Sequence, residues 1–215
     1  FRYGLFFAIA TSFYNLRFYY SETKKEIGMA KLLYQGHGSF RLIFNDKTVV
    51  YIDPFAGKGY DVEADYILIT HEHGDHNKAD IVPKKIDTRV FRAADFLKTG
   101  MYSSMALGGG NVTAVPAYNK NHSPDKCVGF VIETDGLKLY FAGDTSTTSA
   151  MGTILRDMKL DYAFLPTDGI YNMDVSEASE CSALIGAKHS VPVHMVPGGL
   201  FSDAVADRFD IIPIE

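Results

Sequence analysis

The fold of this chain is decided by the stretch Thr70-His71-Glu72-His73-Gly74-Asp75-His76, which places three imidazoles and two carboxylates within six residues. The four residues before it, Tyr66-Ile67-Leu68-Ile69, are apolar and partly β-branched, a pattern typical of a buried strand. The cluster therefore lies on the loop that leaves a strand, where a rigid scaffold can aim side chains at one point. His, Asp and Glu supply the ligands that divalent transition metals prefer, and Zn²⁺ is the commonest choice.

The spacing within this loop predicts two neighbouring metal sites. Side-chain direction alternates along an extended segment, so His71, His73 and Asp75 share one side. Asp75 and His76 then direct a second pair of donors toward an adjacent point. One short loop can in this way contribute ligands to two metals that lie close together.

The motif His71-x-His73-x-Asp75-His76 resembles the signature of the metallo-β-lactamase-fold hydrolases. The alternative, a surface loop that happens to be rich in His and charge, does not account for the strand before it. The resemblance extends from about Met29 to Phe201. It implies an α+β fold, a four-layer αβ/βα sandwich in which two mixed sheets pack face to face with helices outside. The metals are then expected at one edge, between the sheets.

Two strand-end residues match further metal-binding positions of the family. Asp144, in Gly143-Asp144-Thr145, matches the segment whose Asp bridges both metals. His194, after Pro192-Val193, matches the last metal-binding His. Without the His/Asp motif, Asp144 would be interpreted as a turn residue and His194 as a buried histidine bonded to a carbonyl.

The resemblance also implies a role for His122, which follows the segment Pro116-Ala117-Tyr118-Asn119 found in some subfamilies. The alternative for His122 is an exposed loop residue. Each metal then has three ligands of its own, and one carboxylate spans both. The implied ligand set is His71, His73 and His122 on one metal, Asp75, His76 and His194 on the other, and Asp144 on both.

Four other residues lie near these motifs, and each has an expected role outside the ligand set. Asp53 either orients a metal-binding imidazole or is simply a turn residue that ends a strand. His37, between two glycines, is expected either to orient a ligand or to line the substrate cleft. His189 is expected at the end of a helix in a structural role. Glu72 is expected to point away from the metals, outside the ligand set.

The chemistry implied is metal-dependent hydrolysis. Two divalent ions, Zn²⁺ first with Mn²⁺ or Fe as alternatives, would share a hydroxide formed at neutral pH. Asp75 would hold that hydroxide and pass its proton to the leaving group. The expected substrate is an ester, lactone or phosphodiester of a small molecule. A second hypothesis is a redox or ligand-sensing protein with two metals, possibly iron, and no hydrolysis.

Composition restricts the partners. The 215 residues suit one domain, and the net charge of −5 argues against a nucleic-acid partner. Cys127 and Cys181 lack metal-ligand spacing and are expected to be buried thiols in a reducing compartment, which predicts a cytoplasmic protein, with a disulfide as the alternative. No membrane partner is expected, and a homo-oligomer is left open.

The first 28 residues differ from the rest of the chain. Tyr3 to Leu16 is apolar and free of charge, and at 14 residues it is too short to span a bilayer comfortably. We expect residues 1–28 to be an appended or upstream segment and residues 29–215 to form a single metallo-hydrolase domain.

Periodicity and turn signals predict the remaining elements. The predicted strands are Lys31–Gln35, Phe40–Phe44, Thr48–Ile52, Thr88–Arg92, Asn111–Val115, Cys127–Thr134, Leu137–Ala142, Tyr162–Leu165 and Val191–Val193. The predicted helices are Ala93–Gly100, Ser149–Lys159, Ser176–Lys188 with Ser176 as N-cap, and Ser202–Phe209. Loop residues that are candidates for substrate contact are Tyr118, Asn119, Tyr171 and Phe201.

Overall fold

Two six-stranded sheets pack face to face in the computed structural model, which describes Phe13–Tyr14 and residues 30–195. The first sheet has its strands in sequence order. They are β1 Phe13–Tyr14, β2 Lys31–Gly36, β3 Ser39–Ile43, β4 Val49–Ile52, β5 Ala64–Ile69 and β6 Lys84–Arg92. The pairs β4–β5 and β5–β6 are parallel and the other pairs are antiparallel.

The second sheet is built from the later half of the chain. A small hairpin precedes it, formed by β7 Leu97–Lys98 and β8 Met101–Tyr102. The sheet runs in the order β14-β13-β12-β11-β10-β9, and its last two pairs, β12–β13 and β13–β14, are parallel. Its strands are β9 Ser104–Leu107, β10 Gly110–Pro116, β11 Val128–Thr134, β12 Leu137–Phe141, β13 Tyr162–Pro166 and β14 His189–Val193.

Helical segments are short. They are α1 Ala93–Phe96, α2 Arg156–Met158, α3 Val175–Ile185, a 3₁₀ turn at Ala79–Ile81 and a π-helical turn at Met151–Leu155. The α3 helix and the π-helical turn cover the outer face of the second sheet, in a cluster that includes Tyr140, Leu165 and Ile185. The α+β sandwich expected from the sequence is confirmed.

The main core lies between the two sheets. It contains Phe40 and Leu68 from the first sheet and Phe130 and Phe141 from the second, all nearly or fully buried. Burying an aromatic or branched side chain contributes about 1.5–3 kcal/mol, so this interface is what clamps the sheets together. Two rigid sheets then hold their strand ends in fixed positions.

The carboxyl ends of several strands meet at one edge of the sandwich. In the first sheet, β4 ends before Asp53 and β5 before Thr70. In the second, β12 ends before Ala142, β13 before Thr167 and β14 before His194. Parallel neighbours present their carboxyl ends at the same edge of a sheet, where ligand sites form in α/β and related folds. The polar residues identified in the sequence are therefore gathered by topology.

The predicted helix Ala93–Gly100 is wrong beyond its first turn. The helix ends at Phe96, whose ring is fully buried, and the chain continues into strand β7. Thr99 and Gly100 adopt positive φ values of 49° and 78°, which make a tight turn and stop a right-handed helix. The sequence interpretation also missed strands β8 and β9.

The boundaries of the next helices differ from prediction as well. Asp174, and not Ser176, caps α3: its carboxylate accepts a hydrogen bond from the Glu177 N–H at 2.8 Å. Gly186 ends the helix in the left-handed region, so His189 starts strand β14 and does not end a helix. The predicted helix Ser149–Lys159 is a π-helical turn followed by α2.

Several predictions concern residues outside the described part of the chain. The helix Ser202–Phe209 and the candidate contact residue Phe201 lie there. The assignment of residues 1–28 as an appended segment stays a prediction, although Phe13–Tyr14 pairs with β2. No helix within the described residues is long and apolar enough to cross a bilayer. Cys127 and Cys181 are buried free thiols, as expected.

Candidate metal centre

Three imidazoles form the first half of the centre. His71 and His73 come from the loop after β5, and His122 comes from the irregular loop after β10. One ring nitrogen of each lies within 4.8 Å of the other two. His122 Nε2 lies 3.1 Å from His73 Nδ1. The structure thus brings together three residues that are spread from position 71 to position 122 of the chain.

The second half contains Asp75, His76 and His194, with His37 beside them. His194 Nε2 lies 3.8 Å from Asp75 Oδ2. His37 Nε2 lies 3.0 Å from the same Asp75 oxygen, and the His37 ring packs against the His194 ring at 3.5 Å between centroids. Of the two roles expected for His37, the contact with Asp75 supports the orienting one.

Asp144 lies between the two halves. Its Oδ2 is 3.2 Å from His122 Nε2, and its Oδ1 is 3.2 Å from His76 Nε2 and 3.4 Å from His194 Nε2. One carboxylate oxygen therefore faces each half. All seven residues that the resemblance implied as ligands lie in one cluster, with Asp144 at its middle.

The side chains of Thr70 and Asp53 orient two imidazole rings on the loop after β5, those of His71 and His76. Thr70 Oγ1 donates to Asp53 Oδ2 at 2.6 Å, so it can accept the His71 Nδ1–H at 3.0 Å. His76 Nδ1 donates to the same Asp53 oxygen at 2.8 Å. Asp53 also accepts the Thr70 backbone N–H at 2.7 Å. Of its two expected roles, the structure supports orientation of an imidazole, and it leaves Nε2 of both rings free to coordinate.

Two further groups fix the rings supplied by the second sheet. His122 Nδ1 lies 2.8 Å from Asn119 Oδ1, and His194 Nδ1 lies 3.1 Å from Asp168 Oδ2. Asn119 Oδ1 and Asp168 Oδ2 can only accept hydrogen bonds, so each ring must carry its proton on Nδ1. The Nε2 atoms of these rings therefore also face the centre with free lone pairs.

Unpartnered buried atoms show what the centre is suited to hold. Four buried side-chain atoms of the centre have no hydrogen-bond partner among the described residues: His71 Nε2, His76 Nε2, His194 Nε2 and Asp144 Oδ1. Their residues are at most 5% exposed. A buried polar atom without a partner costs about 1–3 kcal/mol, and these atoms lie close together, with His76 Nε2 and His194 Nε2 at 3.2 and 3.4 Å from Asp144 Oδ1. Nitrogen and oxygen donors in this arrangement fit divalent cations.

The electrostatics also favour cations. Burial and the neighbouring His76 lower the pKa of His71 to about 3, so this ring is neutral and able to donate its lone pair. Burial alone would lower the pKa of His76, but the flanking Asp53 and Asp144 raise it to about 10. The position between His76 and Asp144 therefore attracts positive charge. Burial raises the pKa of Asp144, but the imidazoles of His122 and His76, each 3.2 Å from one of its oxygens, outweigh it and hold that pKa well below its usual range.

Backbone strain is concentrated at this centre. His37, Asp53 and His194 have φ values of 54°, 45° and 53°, in the left-handed region that non-glycine residues rarely adopt. Each such residue costs on the order of 1–3 kcal/mol. The His194 N–H donates to the His37 carbonyl at 2.9 Å, which ties two of these residues together across the sheets.

Gly143 lets Asp144 approach the loop after β5. Its φ is +61°, and a Cβ on it would lie 2.8 Å from the Thr70 Cβ. We expect Gly143→Ala to lower the free energy of unfolding by about 2–4 kcal/mol, since it combines the left-handed cost with overpacking. Gly136→Ala is the matched control, with φ +78° and no atom within 4 Å of its added Cβ. Urea denaturation of both variants would measure this, and equal losses would rule out crowding at Thr70.

Glu72 and His189 were predicted to lie outside the centre, and both do. Glu72 pairs with Arg92 through Nη1 at 2.7 Å and accepts from the Asn77 amide at 3.1 Å. His189 stacks on Tyr162 at 4.7 Å between ring centroids. Neither belongs to the cluster.

The sequence interpretation missed Asp168 and the contact of Asn119 with His122. Asp168 lies two residues after strand β13, as Asp53 lies directly after β4, so a carboxylate near a strand end was the signal available. Asn119, a candidate for substrate contact, has its amide oxygen 2.8 Å from His122 Nδ1, and its contact with substrate stays a prediction. Asn172, which bonds to both Asn119 and Asp168, had no signal in the sequence.

A cleft of about 530 Å³ opens beside the first half of the centre. Charged and polar side chains of both signs line it. Its lining includes His73, Arg92, Asn121, Asp125 and Lys126. Ligand pockets of this size hold small molecules.

Comparison with known proteins agrees with this geometry. The model of the beta-lactamase superfamily domain matches residues 31–194. The chain belongs to this superfamily. The match contains every residue of the candidate centre, from His37 to His194. The resemblance inferred from the His/Asp motif is confirmed, and it places the chain among metal-dependent hydrolases of the metallo-β-lactamase fold.

Relatives of this superfamily member cover most of its length. A UPF0173 metal-dependent hydrolase from Thermococcus onnurineus is 31% identical over 192 residues, covering 77% of this chain and 84% of that protein. Another from Thermus thermophilus is 34% identical over 190 residues with the same coverage. The crystal structure of a proposed metal-dependent hydrolase from Parabacteroides distasonis gives a TM-score of 0.70 at 29% identity, covering 85% of this chain and 89% of that one.

Proposed function

We propose that this chain binds two divalent metal ions, with Zn²⁺ as the first candidate, and hydrolyses an ester, lactone or phosphodiester of a small molecule. The single observation that carries the proposal is the convergence of buried, unpartnered donor atoms on two adjoining points. His71, His73 and His122 would hold the first ion. Asp75, His76 and His194 would hold the second, and Asp144 would contact both.

The metals supply, when bound, a hydroxide nucleophile at neutral pH and a charge that polarises the substrate oxygen. The side chains divide the remaining work by exposure. Asp144 is 4% exposed and holds the two halves together, whereas the Asp75 side chain is 38% exposed. Asp75 is therefore the carboxylate that a substrate can reach.

Asp75 is assigned the proton transfer. The neighbouring imidazoles of His194 and His37 hold its pKa well below the usual range, so it is a carboxylate at neutral pH. It can accept a proton from the nucleophile and deliver it to the leaving group. His37 Nε2 lies 3.0 Å from Asp75 Oδ2 and would hold this oxygen in place during the proton transfer.

The cleft beside His73 supports a small, polar substrate. Arg92 and Lys126 offer cationic groups there, although Arg92 is already paired with Glu72. The cleft is too small for a nucleic-acid duplex, and the net charge of −5 does not favour one. The free thiols of Cys127 and Cys181 are consistent with a cytoplasmic location.

Metal content and a substrate panel test this proposal. We expect about two metal ions per chain, hydrolysis of at least one class among lactones, phosphodiesters and carboxylic esters, loss of that activity on chelation and recovery on adding Zn²⁺ or Mn²⁺. Bound iron without turnover on any class would favour the redox or sensor alternative. Full activity after complete removal of metal would contradict the proposal.

A further inference from the structure

A line of hydrogen bonds runs outside the metal centre from His122 to His194. His122 Nδ1 donates to Asn119 Oδ1 at 2.8 Å, and Asn119 Nδ2 donates to Asn172 Oδ1 at 3.0 Å. Asn172 Nδ2 donates to Asp168 Oδ2 at 2.7 Å, and the same oxygen accepts from His194 Nδ1 at 3.1 Å. We call Asn119, Asn172 and Asp168 the polar bridge.

The orientation of the Asn119 amide is fixed by its other partners. Its Oδ1 also accepts the Asn121 backbone N–H at 2.8 Å, and its Nδ2 also donates to the Tyr171 carbonyl at 3.0 Å. A flipped amide would set its N–H groups against the Asn121 N–H and its oxygen against the Tyr171 carbonyl oxygen. His122 must therefore be the donor in its bond to Asn119, with the proton on Nδ1.

The Asp168 carboxylate fixes the other end. Its Oδ1 accepts the backbone N–H groups of Ile170 and Tyr171 at 2.7 and 2.6 Å. These bonds hold the carboxylate in one rotamer and leave its Oδ2 for Asn172 and His194. The hydrogen bonds consequently run from both histidines toward one acceptor, with a single consistent direction.

The two ends of the bridge belong to different halves of the centre. His122 lies in the half with His71 and His73, and His194 lies in the half with Asp75. Asn172 joins them, is 9% exposed, and has no hydrogen bond to a histidine among the described residues. Metal-binding rings are commonly oriented one at a time by their own outer partners, whereas here the outer partners are bonded to each other.

We propose that the polar bridge positions His122 and His194 as one unit, so that a change at either end alters metal binding in both halves. Linked hydrogen bonds polarise one another and lose more when cut than isolated pairs do. Asn119, Asn172 and Asp168 are positioning residues in this account. The inference rests on the proposed metal binding, but the bridge itself is a property of the metal-free chain and is tested there as well.

Metal titration of Asn172→Ala tests the coupling directly. We expect both metal affinities to fall, each by about tenfold, the lower end of what outer partners contribute. Asn121→Ala is the matched control, because Asn121 Nδ2 also joins these two loops by donating to the Tyr171 carbonyl at 3.0 Å but lies outside the bridge. Weakening of only one metal site, or equal effects of the two variants, would overturn the proposal.

Imidazole ¹⁵N shifts of the metal-free protein give a second, independent test with Asp168→Asn. The asparagine keeps an acceptor for the backbone N–H groups of the loop but presents an amide N–H to His194. We expect the ring shifts of His194 and of the distant His122 to change, while those of His189, at the start of the strand that ends before His194, do not. Unchanged His122 shifts beside altered His194 shifts would refute the coupling.

These measurements separate the bridge from the proposed function. Wild-type protein that shows the Nδ1–H form of both rings but binds no metal would contradict the proposed function and leave the bridge intact. Protein that binds two metals while Asn172→Ala changes neither affinity would contradict the bridge alone.

Discussion

Asp144→Ala is expected to lose both metal ions and to hydrolyse substrate about a thousandfold more slowly than the wild-type protein. A metal ion supplies several kcal/mol of transition-state stabilisation, and each 1.4 kcal/mol is a factor of ten in rate. We expect the substitution to weaken both metal sites because the two oxygens of Asp144 face opposite halves of the centre, one at 3.2 Å from His122 Nε2 and the other at 3.2 Å from His76 Nε2. Elemental analysis and activity on the best substrate of the panel would measure the two losses together.

The fold of the variant is checked by circular dichroism. Asp144 is 4% exposed, and its removal leaves buried His76 with only one of its two flanking carboxylates, which lowers stability as well as metal binding. Asp157→Ala is a matched control, since Asp157 is an exposed carboxylate in α2. It should keep its metals and its circular dichroism spectrum. An Asp144→Ala protein that binds two metals and retains full activity would remove Asp144 from the centre.

Asp53→Asn should produce the second-largest effect, a loss of about 3 kcal/mol in the free energy of unfolding together with a 10- to 100-fold weaker metal affinity. The Asp53 carboxylate, 1% exposed, accepts three donors: the Thr70 N–H, the Thr70 hydroxyl and His76 Nδ1. An amide of the same shape has only one acceptor oxygen. At the Oδ2 position its N–H groups face the Thr70 hydroxyl and His76 Nδ1–H, and at the Oδ1 position they face the Thr70 backbone N–H, so at least one of the three hydrogen bonds is lost in either orientation.

Urea denaturation of metal-free protein measures the stability term of Asp53→Asn, and competitive metal titration measures the affinity. Asp46→Asn is the matched control. The Asp46 carboxylate also accepts backbone N–H groups, from Thr48 at 2.9 Å and Gly109 at 2.6 Å, but it is remote from the centre. We expect a loss below about 1 kcal/mol there and unchanged metal affinity. Comparable losses in the two variants would show that Asp53 has no special role in holding His76.

Part of the centre follows directly from local sequence. The His/Asp loop after an apolar strand needs only nearest neighbours to be interpreted, because strand ends present polar side chains at a sheet edge. This short motif therefore identified four of the seven clustered residues. Asp144, His122 and His194 have weaker local patterns, and assigning them depended on the resemblance to a family.

The errors in the sequence interpretation have physical causes as well. Helix periodicity continues through Ala93–Gly100, but the burial of Phe96 and the left-handed turn at Thr99 divert the chain into a hairpin. Tertiary packing outweighs a propensity of a few tenths of a kcal/mol per residue. Asp174 takes the cap of α3 because its carboxylate reaches the Glu177 N–H, a detail that spacing alone does not decide.

The sequence by itself determined which atoms can bind metal: the imidazoles and carboxylates are fixed by residue type, and their strand-end positions by local pattern. Only the tertiary structure decided what holds those atoms. Asp53 meets His76 across 23 positions, and Asp168 meets His194 from a neighbouring strand end. Asn172 reaches Asn119 across 53 positions. Such contacts depend on where two packed sheets bring distant loops, and that relation is set by the shared core and by no local stretch of the chain.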